Sequence, residues 1–249
     1  MLTVEDGITG ELERIKRELL RLGGMKITVG IQGVAGKNAE GQTVKASADI
    51  MTIAGVHEFG ATIKAKNVKN LAIPIAKKAV GKSPLDFDGL FFIRSKAGYL
   101  FGCISKKERN KNPRRSGRPT GKEPDRKKPG NGVKPPNNND DIEFLFILFE
   151  AVEIPERSFI RAGYDGSRDR IMGDIGEAVG KVADGEWDAE TAANHVGMKA
   201  RDYIVEYLMN ADNFEKKGSI VRSTSNWPDN PLVETGRLRN SITYVIAEG

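Results

Sequence analysis

Apolar residues recur at three- and four-residue steps in four stretches of the chain, which is the spacing of one face of an α-helix. The last of these stretches carries alanines along half of its apolar stripe, a pattern that lets another helix approach closely. In the first stretch, Thr9 is of the residue type that caps helices, and Gly23 ends the pattern. The predicted helices span residues 10–22, 47–59, 169–183 and 188–210.

Alternation of apolar and polar positions marks two half-buried strands near the two ends of the chain. An unbroken apolar run, FLFILFEAV, indicates a strand buried on both faces. Two short segments flank the loop SKAG and predict a β-hairpin that pairs with this run. Residues 61–75 are extended, and Pro74 suits an edge strand or a turn. The predicted strands span residues 25–32, 90–94, 99–104, 142–152 and 241–247.

These elements predict an α+β fold in which a mixed or antiparallel sheet is packed by helices. The length of 249 residues fits a single α+β domain that covers residues 1–249. Within this domain we predict an insertion at residues 66–141. The insertion contains the hairpin, residues 90–104, and an extended basic loop, residues 105–139.

Positive charge is concentrated in residues 105–139, which hold 12 Lys and Arg residues against 3 Asp and Glu residues. The whole chain has a formal net charge of +5, so the remainder is mildly acidic. The segment has one apolar side chain, Val133, and 6 of the 11 prolines, so it cannot bury enough apolar surface to fold alone. We expect an extended loop, disordered in isolation, that contacts an acidic protein surface or DNA phosphates. The simpler alternative is a solvated insertion. The candidate contacts are Lys106, Lys107, Arg114, Arg115, Arg118, Arg126, Lys127 and Lys128.

The composition excludes several classes of site. A single cysteine, Cys103, rules out a disulfide framework and a thiolate metal cluster, and two histidines rule out a multi-histidine metal site. Apolar runs are too short to cross a membrane, and the first residues lack the pattern of a signal peptide. We therefore expect a soluble protein made in a reducing cytosol, without a membrane partner.

Sequence patterns for catalysis are incomplete. The glycines that follow the first strand fail the spacing of the Walker and dinucleotide loops. His57 and Glu58 are not followed by the second histidine of a zinc protease. Cys103 lies in a strand pattern as apolar filler, and His195 is interpreted as an ordinary interfacial or surface histidine. The sequence therefore predicts no enzyme, no cofactor and no metal site.

Three short motifs, GVHEFGA, IPERSFIR and LVETGRLRNSI, lie outside the predicted insertion. In the second motif, Arg157 and Arg161 bracket Phe159. A buried phenylalanine between exposed arginines suits a subunit contact, because aromatic residues and arginine are enriched at interfaces. The alternative is that all three motifs are turns that determine the fold and contact no partner. The candidate residues are His57, Glu58, Phe59, Gly60, Pro155, Arg157, Phe159, Arg161, Thr235, Gly236, Arg237, Leu238 and Arg239.

The motifs also predict local structure. Gly60 ends the second helix and lets the chain reverse. Pro155 fixes the entry to a turn. Thr235 is predicted to cap a short helix, and Leu238 and Ile242 are predicted to point into the core.

Together with the strand segment VGI at residues 29–31, the three motifs resemble those of the tailed-phage neck and tail-completion proteins, the virion morphogenesis or tail-component group. In that family an HEFG box, an IPxRxF box and a TGxLxxSI box follow the strand in this order. The resemblance covers the two ends of the chain, and the region 66–141 has no counterpart in it. It implies an α+β sheet with packed helices.

The resemblance also implies a structural virion protein of the phage neck, which completes the tail or joins it to the head as a subunit of a sixfold ring. A tail terminator or a head-closure ring protein is the alternative within this class. Its implied partners are copies of itself, adjacent neck, connector or tail-tube proteins, and DNA in the channel. It would be assembled in the host cytoplasm and located in the virion. A nucleic-acid-binding protein that acts through the basic loop is the alternative from another class.

Overall fold

The computed structural model describes residues 4–37, 42–106, 141–218, 222 and 224–248. It is 45% helix and 24% strand with antiparallel sheets, which confirms the predicted α+β fold. The helices are α1 Val4–Gly24, α2 Ala48–Phe59, α3 Ile160–Ala183, α4 Ala189–Met209 and α5 Arg237–Asn240. The strands are β1 Met25–Ile31, β2 Gly36–Lys37, β3 Thr43–Val44, β4 Ala61–Lys64, β5 Leu71–Pro74, β6 Phe91–Arg94, β7 Leu100–Ser105, β8 Ile142–Phe149, β9 Ala151–Ile154 and β10 Ile242–Glu248.

The chain divides into two compact units, whereas we predicted one domain with an insertion. The first unit comprises Met1–Ala61, Ile154–Lys216 and Asp229–Gly249. The second unit comprises Thr62–Glu153 and Lys217–Pro228. The described residues of the predicted insertion, 66–106 and 141, lie within the second unit, which extends beyond them on both sides.

The first unit contains a four-stranded sheet in the order β1-β10-β2-β3. β1 and β10 pair antiparallel over seven residues each, from Met25 opposite Glu248 to Ile31 opposite Ile242. Among the described strands, β1 pairs with β10 alone, so it forms one edge of this sheet.

Two apolar clusters form the core of the first unit. One gathers side chains from α2, α4, α5, β10 and the loops that precede α3 and α5. The other joins α3 to α4, and residues of α1 and β1 pack against it. The members of the first cluster are Ala54, Phe159, Ile204, Leu208, Phe214, Leu232, Val233, Leu238 and Ile242.

The helix α3 is longer than the sequence predicted, because it begins at Ile160 and not at residue 169. Its first turns contain Gly163 and Gly166, whose low helix propensity argues against a helix. Gly163 faces α4, where an added Cβ would lie 3.3 Å from the Tyr207 Cβ atom and 3.4 Å from the Ile204 Cα atom. Close helix packing here outweighs the local propensity.

A second glycine, Gly197, brings α4 against the sheet. A Cβ atom at this position would overlap the ring of Tyr244 in β10, 2.9 Å from its Cε2 atom. The Tyr244 hydroxyl donates a hydrogen bond of 3.0 Å to the Asn194 side chain, one turn earlier in α4. The absence of a side chain at residue 197 thus sets the distance between the helix and the sheet.

The second unit contains a four-stranded antiparallel sheet in the order β5-β8-β7-β6. The predicted hairpin is confirmed as β6 and β7, and β7 pairs with β8 as expected. β5 is an edge strand, which agrees with the position predicted for Pro74. The predicted strand 142–152 is interrupted at Glu150, and its last part forms β9, which pairs with β4.

None of the helices in the described part of the chain has the length and hydropathy needed to span a lipid bilayer. Of the predicted basic loop, Ser105 is instead the last residue of β7, and Lys106 is exposed. The other candidate contacts in that loop, Lys107, Arg114, Arg115, Arg118, Arg126, Lys127 and Lys128, lie outside the described residues.

Candidate functional site

The Glu58 carboxylate joins the first motif to the second. It lies in the last turn of α2 and is 4% exposed. Its Oε2 atom accepts hydrogen bonds from the backbone N–H groups of Phe159 (2.9 Å) and Ile160 (3.0 Å). Its Oε1 atom accepts from the Ser158 hydroxyl (2.8 Å) and from the backbone N–H of Arg161 (3.0 Å). Glu58 therefore caps the first turn of α3 from another helix, where the helix dipole also favours a negative charge.

The electrostatics of Glu58 follow from these contacts. Burial raises the pKa of its carboxyl, whereas the hydrogen bonds from the backbone of Ile160 and Arg161, the Ser158 hydroxyl and the backbone of Phe159 lower it. The hydrogen bonds outweigh burial, so the pKa lies below its ordinary value. The side chain is thus held as a carboxylate, with the Arg161 guanidinium 3.0 Å away as its counter-charge.

The backbone on either side of Glu58 is also fixed against the second motif. The His57 carbonyl accepts a hydrogen bond of 2.7 Å from the backbone N–H of Arg157. Gly60 adopts a φ of +71°, and a Cβ atom there would lie 3.0 Å from the Glu156 nitrogen and 3.2 Å from the Ile154 oxygen. Only glycine fits this backbone position without strain, which explains the glycine of the HEFG motif.

Arg161 connects the buried carboxylate to the surface. Its guanidinium donates hydrogen bonds to the Glu58 carbonyl (2.9 Å) and to the Glu156 carboxylate (2.7 Å). The same guanidinium stacks on the ring of Phe59, with its Cζ atom 4.7 Å from the ring centroid. The Phe59 side chain is 66% exposed, so an arginine–aromatic pair faces solvent at the junction of the two motifs.

A groove of about 280 Å³ runs beside this pair. Ile160 and Arg161 also line a larger, mainly apolar groove of about 530 Å³, whose other lining residues come from α1, β1, α3 and α4. The lining residues of the smaller groove are Ile31, Met51, Ala54, Gly55, Glu58, Phe59, Ile160 and Arg161.

In the second motif Phe159 is buried, as predicted, and one of its two flanking arginines is exposed. The Phe159 ring lies in the core of the first unit, so a subunit contact of this motif would involve its neighbours and not the ring itself. Arg157 is half-buried rather than exposed, because its guanidinium lies against the Glu215 carbonyl at 3.4 Å, and burial lowers its pKa. Pro155 and Arg161 are exposed. Phe59, from the first motif, is exposed beside Arg161.

The third motif shares the core of the other two. Leu238 and Ile242 are buried in the cluster that contains Phe159, as predicted. Thr235 is not the helix cap that we predicted, because α5 begins after Gly236, which adopts a φ of +73° and makes no side-chain cap. Arg237 is exposed and Arg239 is half-buried, with its Nε atom donating to the neighbouring Asn240.

Two further groups of reactive side chains are described. Cys103 is fully buried in the second unit, where burial raises the pKa of its thiol to about 11. Away from the Glu58 site, in the described part of the chain, carboxylate oxygens of Asp174 and Glu177 and a ring nitrogen of His195 lie within 4.8 Å of one another. Such a group of donor atoms is of the kind that holds metal ions.

No family model, no curated protein and no solved structure matches this chain. Inferences about function therefore rest on the sequence and on the features described above.

Proposed function

We propose that this protein is a structural virion protein of the phage neck, a ring subunit that completes the tail or joins it to the head. The sequence resemblance supplies the class. The observation that carries the proposal is the solvent-facing pair of Phe59 and Arg161, located where two of the motifs behind that resemblance meet. Aromatic residues and arginine are the side chains that contribute most to interface energies.

The surroundings of this pair suit a contact with a second copy of the chain. Apolar side chains line the groove beside Phe59 and the larger groove that shares Ile160 and Arg161 with it, and apolar surface of this kind is typical of an interaction site. β1 borders the larger groove and has an edge that no described strand covers. A ring closes through heterologous contacts, in which one surface of each subunit meets a different surface of the next.

The proposal is tested by measuring the mass of the purified full-length chain by light scattering at about 50 and 500 mM NaCl. We expect a closed oligomer whose mass is independent of salt, because an apolar interface is not screened. Electron microscopy of the same sample should show rings. The substitution Phe59→Ser should reduce the mass to that of a monomer.

A matched control is Leu85→Ser in the second unit, since Leu85 is 70% exposed, close to the 66% of Phe59. This variant should retain the mass of the parent. A parent protein that stays monomeric at all concentrations, and that fails to assemble on phage tails or heads, would contradict the proposal. Equal loss of assembly in both variants would contradict the role assigned to Phe59.

The second candidate function is nucleic-acid binding through the basic loop, favoured by the 12 Lys and Arg residues in residues 105–139. Binding by phosphate neutralisation weakens steeply as salt rises. A filter-binding assay with duplex DNA, performed over the same salt range, separates this activity from ring assembly. Deletion of residues 106–139 should remove DNA binding and leave the fold intact. As part of a neck protein, the same loop would contribute to joining, and its deletion would lower particle yield.

A further inference from the structure

The strongest unexplained feature of the first unit is a group of three polar side chains between α3 and α4. Asp174 and Glu177 are three residues apart on α3 and share one helix face. His195 comes from the facing part of α4. One donor atom of each, two carboxylate oxygens and one ring nitrogen, lie within 4.8 Å of one another. The group exists only when α3 and α4 are packed together.

An independent observation concerns the ring of His195. Its Nε2 atom has less than 1 Å² of accessible surface and no hydrogen-bond partner in the structure. A polar atom removed from water without a partner is costly, and native proteins rarely leave one. Imidazole nitrogens are the commonest protein ligands of metals, and coordination would satisfy the ring without a further hydrogen bond.

Neighbouring side chains hold two members of the group in place. The Tyr203 hydroxyl donates a hydrogen bond of 2.8 Å to the Oδ2 atom of Asp174. The ring of Trp187 packs against that of His195, with the ring centroids 5.0 Å apart. Partners of this kind orient the ligands of metal sites. Glu177 is exposed, so one side of the group remains open to ions from solvent.

We propose that Asp174, Glu177 and His195 bind one divalent transition-metal ion and that Zn²⁺ fits these ligands best. The bound ion would link α3 to α4. One imidazole and two carboxylates form a mixed nitrogen and oxygen set that suits Zn²⁺ better than Mg²⁺ or Ca²⁺, which prefer oxygen alone. Donor atoms around a tetrahedral Zn²⁺ lie roughly 3.3 Å apart, given bonds of about 2.0–2.1 Å. The three donor atoms lie within 4.8 Å of one another, so they must come closer when the ion binds, and the exposed position of Glu177 leaves room for its side chain to move. This inference is independent of the proposed neck function.

The test uses the untagged full-length protein, stripped with EDTA and titrated with ZnCl₂ in a calorimeter. We expect one ion per chain. His195→Gln and Glu177→Gln should each weaken binding at least about tenfold. Zn²⁺ should raise the Tm of the parent protein, because an ion that binds the folded state alone stabilises it, and Mg²⁺ at the same concentration should not. The matched control is Glu190→Gln, which removes an exposed carboxylate of α4 outside the group and should bind as the parent does.

Each contrary result overturns the proposal. Absence of Zn²⁺ binding, or several weak sites per chain, would mean that these side chains do not form a metal site. Equal affinity in Glu177→Gln and Glu190→Gln would assign any binding to adventitious surface carboxylates. Glu177 is exposed, so its substitution does not disturb the core and keeps the test valid if the His195 variant fails to fold.

Discussion

Replacement of Glu58 by glutamine tests the link between α2 and α3 most directly. The carboxylate accepts five hydrogen bonds, and glutamine retains one acceptor oxygen while its amide turns a donor toward backbone N–H groups. At least the two bonds of one carboxylate oxygen are lost. Hydrogen bonds to charged groups contribute about 1.5–3 kcal/mol each. Allowing for partial relaxation, we expect Glu58→Gln to lower the free energy of unfolding by about 3 kcal/mol at pH 7.

The measurement is urea unfolding followed by circular dichroism, combined with hydrogen exchange of the amides of residues 159–161. The exchange experiment is needed because a chain of two compact units need not unfold in one step. In the parent protein these amides donate to Glu58 and should be protected. In Glu58→Gln they should exchange faster, whereas amides in the middle of α4 should change less.

The pH dependence gives a second, independent readout. Because the pKa of Glu58 is lowered in the folded state, its contribution to stability is complete above the pKa of an unfolded glutamate, about 4.3. The contribution is lost as pH falls through the folded-state pKa. The stability difference between the parent and Glu58→Gln should therefore be largest near neutral pH and narrow below about pH 4.

The matched control is Glu156→Gln, which removes the other carboxylate that pairs with Arg161. Glu156 is exposed, and exposed ion pairs contribute about 0–1 kcal/mol. If Glu58→Gln destabilises the protein no more than Glu156→Gln does, and the amides of residues 159–161 exchange equally in both, the cap does not stabilise α3 and the reasoning fails.

Three further predictions concern single positions. Gly60→Ala should lower the free energy of unfolding, measured in urea, by about 2–3 kcal/mol, because the residue has a positive φ and a close backbone contact. Gly81→Ala, with a φ of +74° but open space around it, should lower it by only about 1 kcal/mol. Gly197→Ala should lower the Tm through overlap with the β10 tyrosine, whereas Gly176→Ala, open in the same unit, should raise it slightly. Because burial raises the pKa of Cys103 to about 11, its side chain should be a thiol near neutral pH and should resist thiol reagents until the chain is unfolded. Rapid labelling of Cys103 in the native protein would contradict the last prediction. Equal changes in stability for the two variants of either glycine pair would contradict the first two.

The helical periodicity and the strand-like alternation of apolar residues were sufficient to predict most of the helices and strands, because positions that are buried in an element are mostly apolar. The first strand, the hairpin and the long α4 are found close to the predicted residues. The beginning of α3 was not predicted. Its cap is supplied by Glu58, about one hundred residues earlier, and no local pattern reveals a partner at that separation.

The burial of Phe159 was predicted, but the exposed aromatic partner of Arg161 was not. The sequence assigned the subunit contact to the Phe159 ring and its flanking arginines, whereas in the structure this ring belongs to the core. The Phe59 ring, at the end of an apolar helix, lies on the surface under Arg161. Which ring faces solvent depends on tertiary packing, and the sequence alone does not specify it.

The group at Asp174, Glu177 and His195 was missed for a related reason. The three-residue spacing of the two carboxylates on one helix face is readable in the sequence and could have marked them as candidates. Their approach to His195 depends on how α3 and α4 pack through their apolar side chains, and no sequence motif specifies that packing.

The pairing of β4 with β9 has a consequence for the order in which the chain folds. Glu58 and Ser158 are separated by 100 residues, and synthesis of that length takes roughly 5–20 s on the ribosome. During that time α2 has no α3 to cap. β4 begins three residues after Glu58 and β9 ends four residues before Ser158, so once these strands have paired, only a short closure remains to bring Ser158 to Glu58. The two-stranded β4–β9 sheet thus holds the ends of this long segment together. Mutations that weaken the sheet should lower the folding rate of the first unit more than they lower its free energy of unfolding.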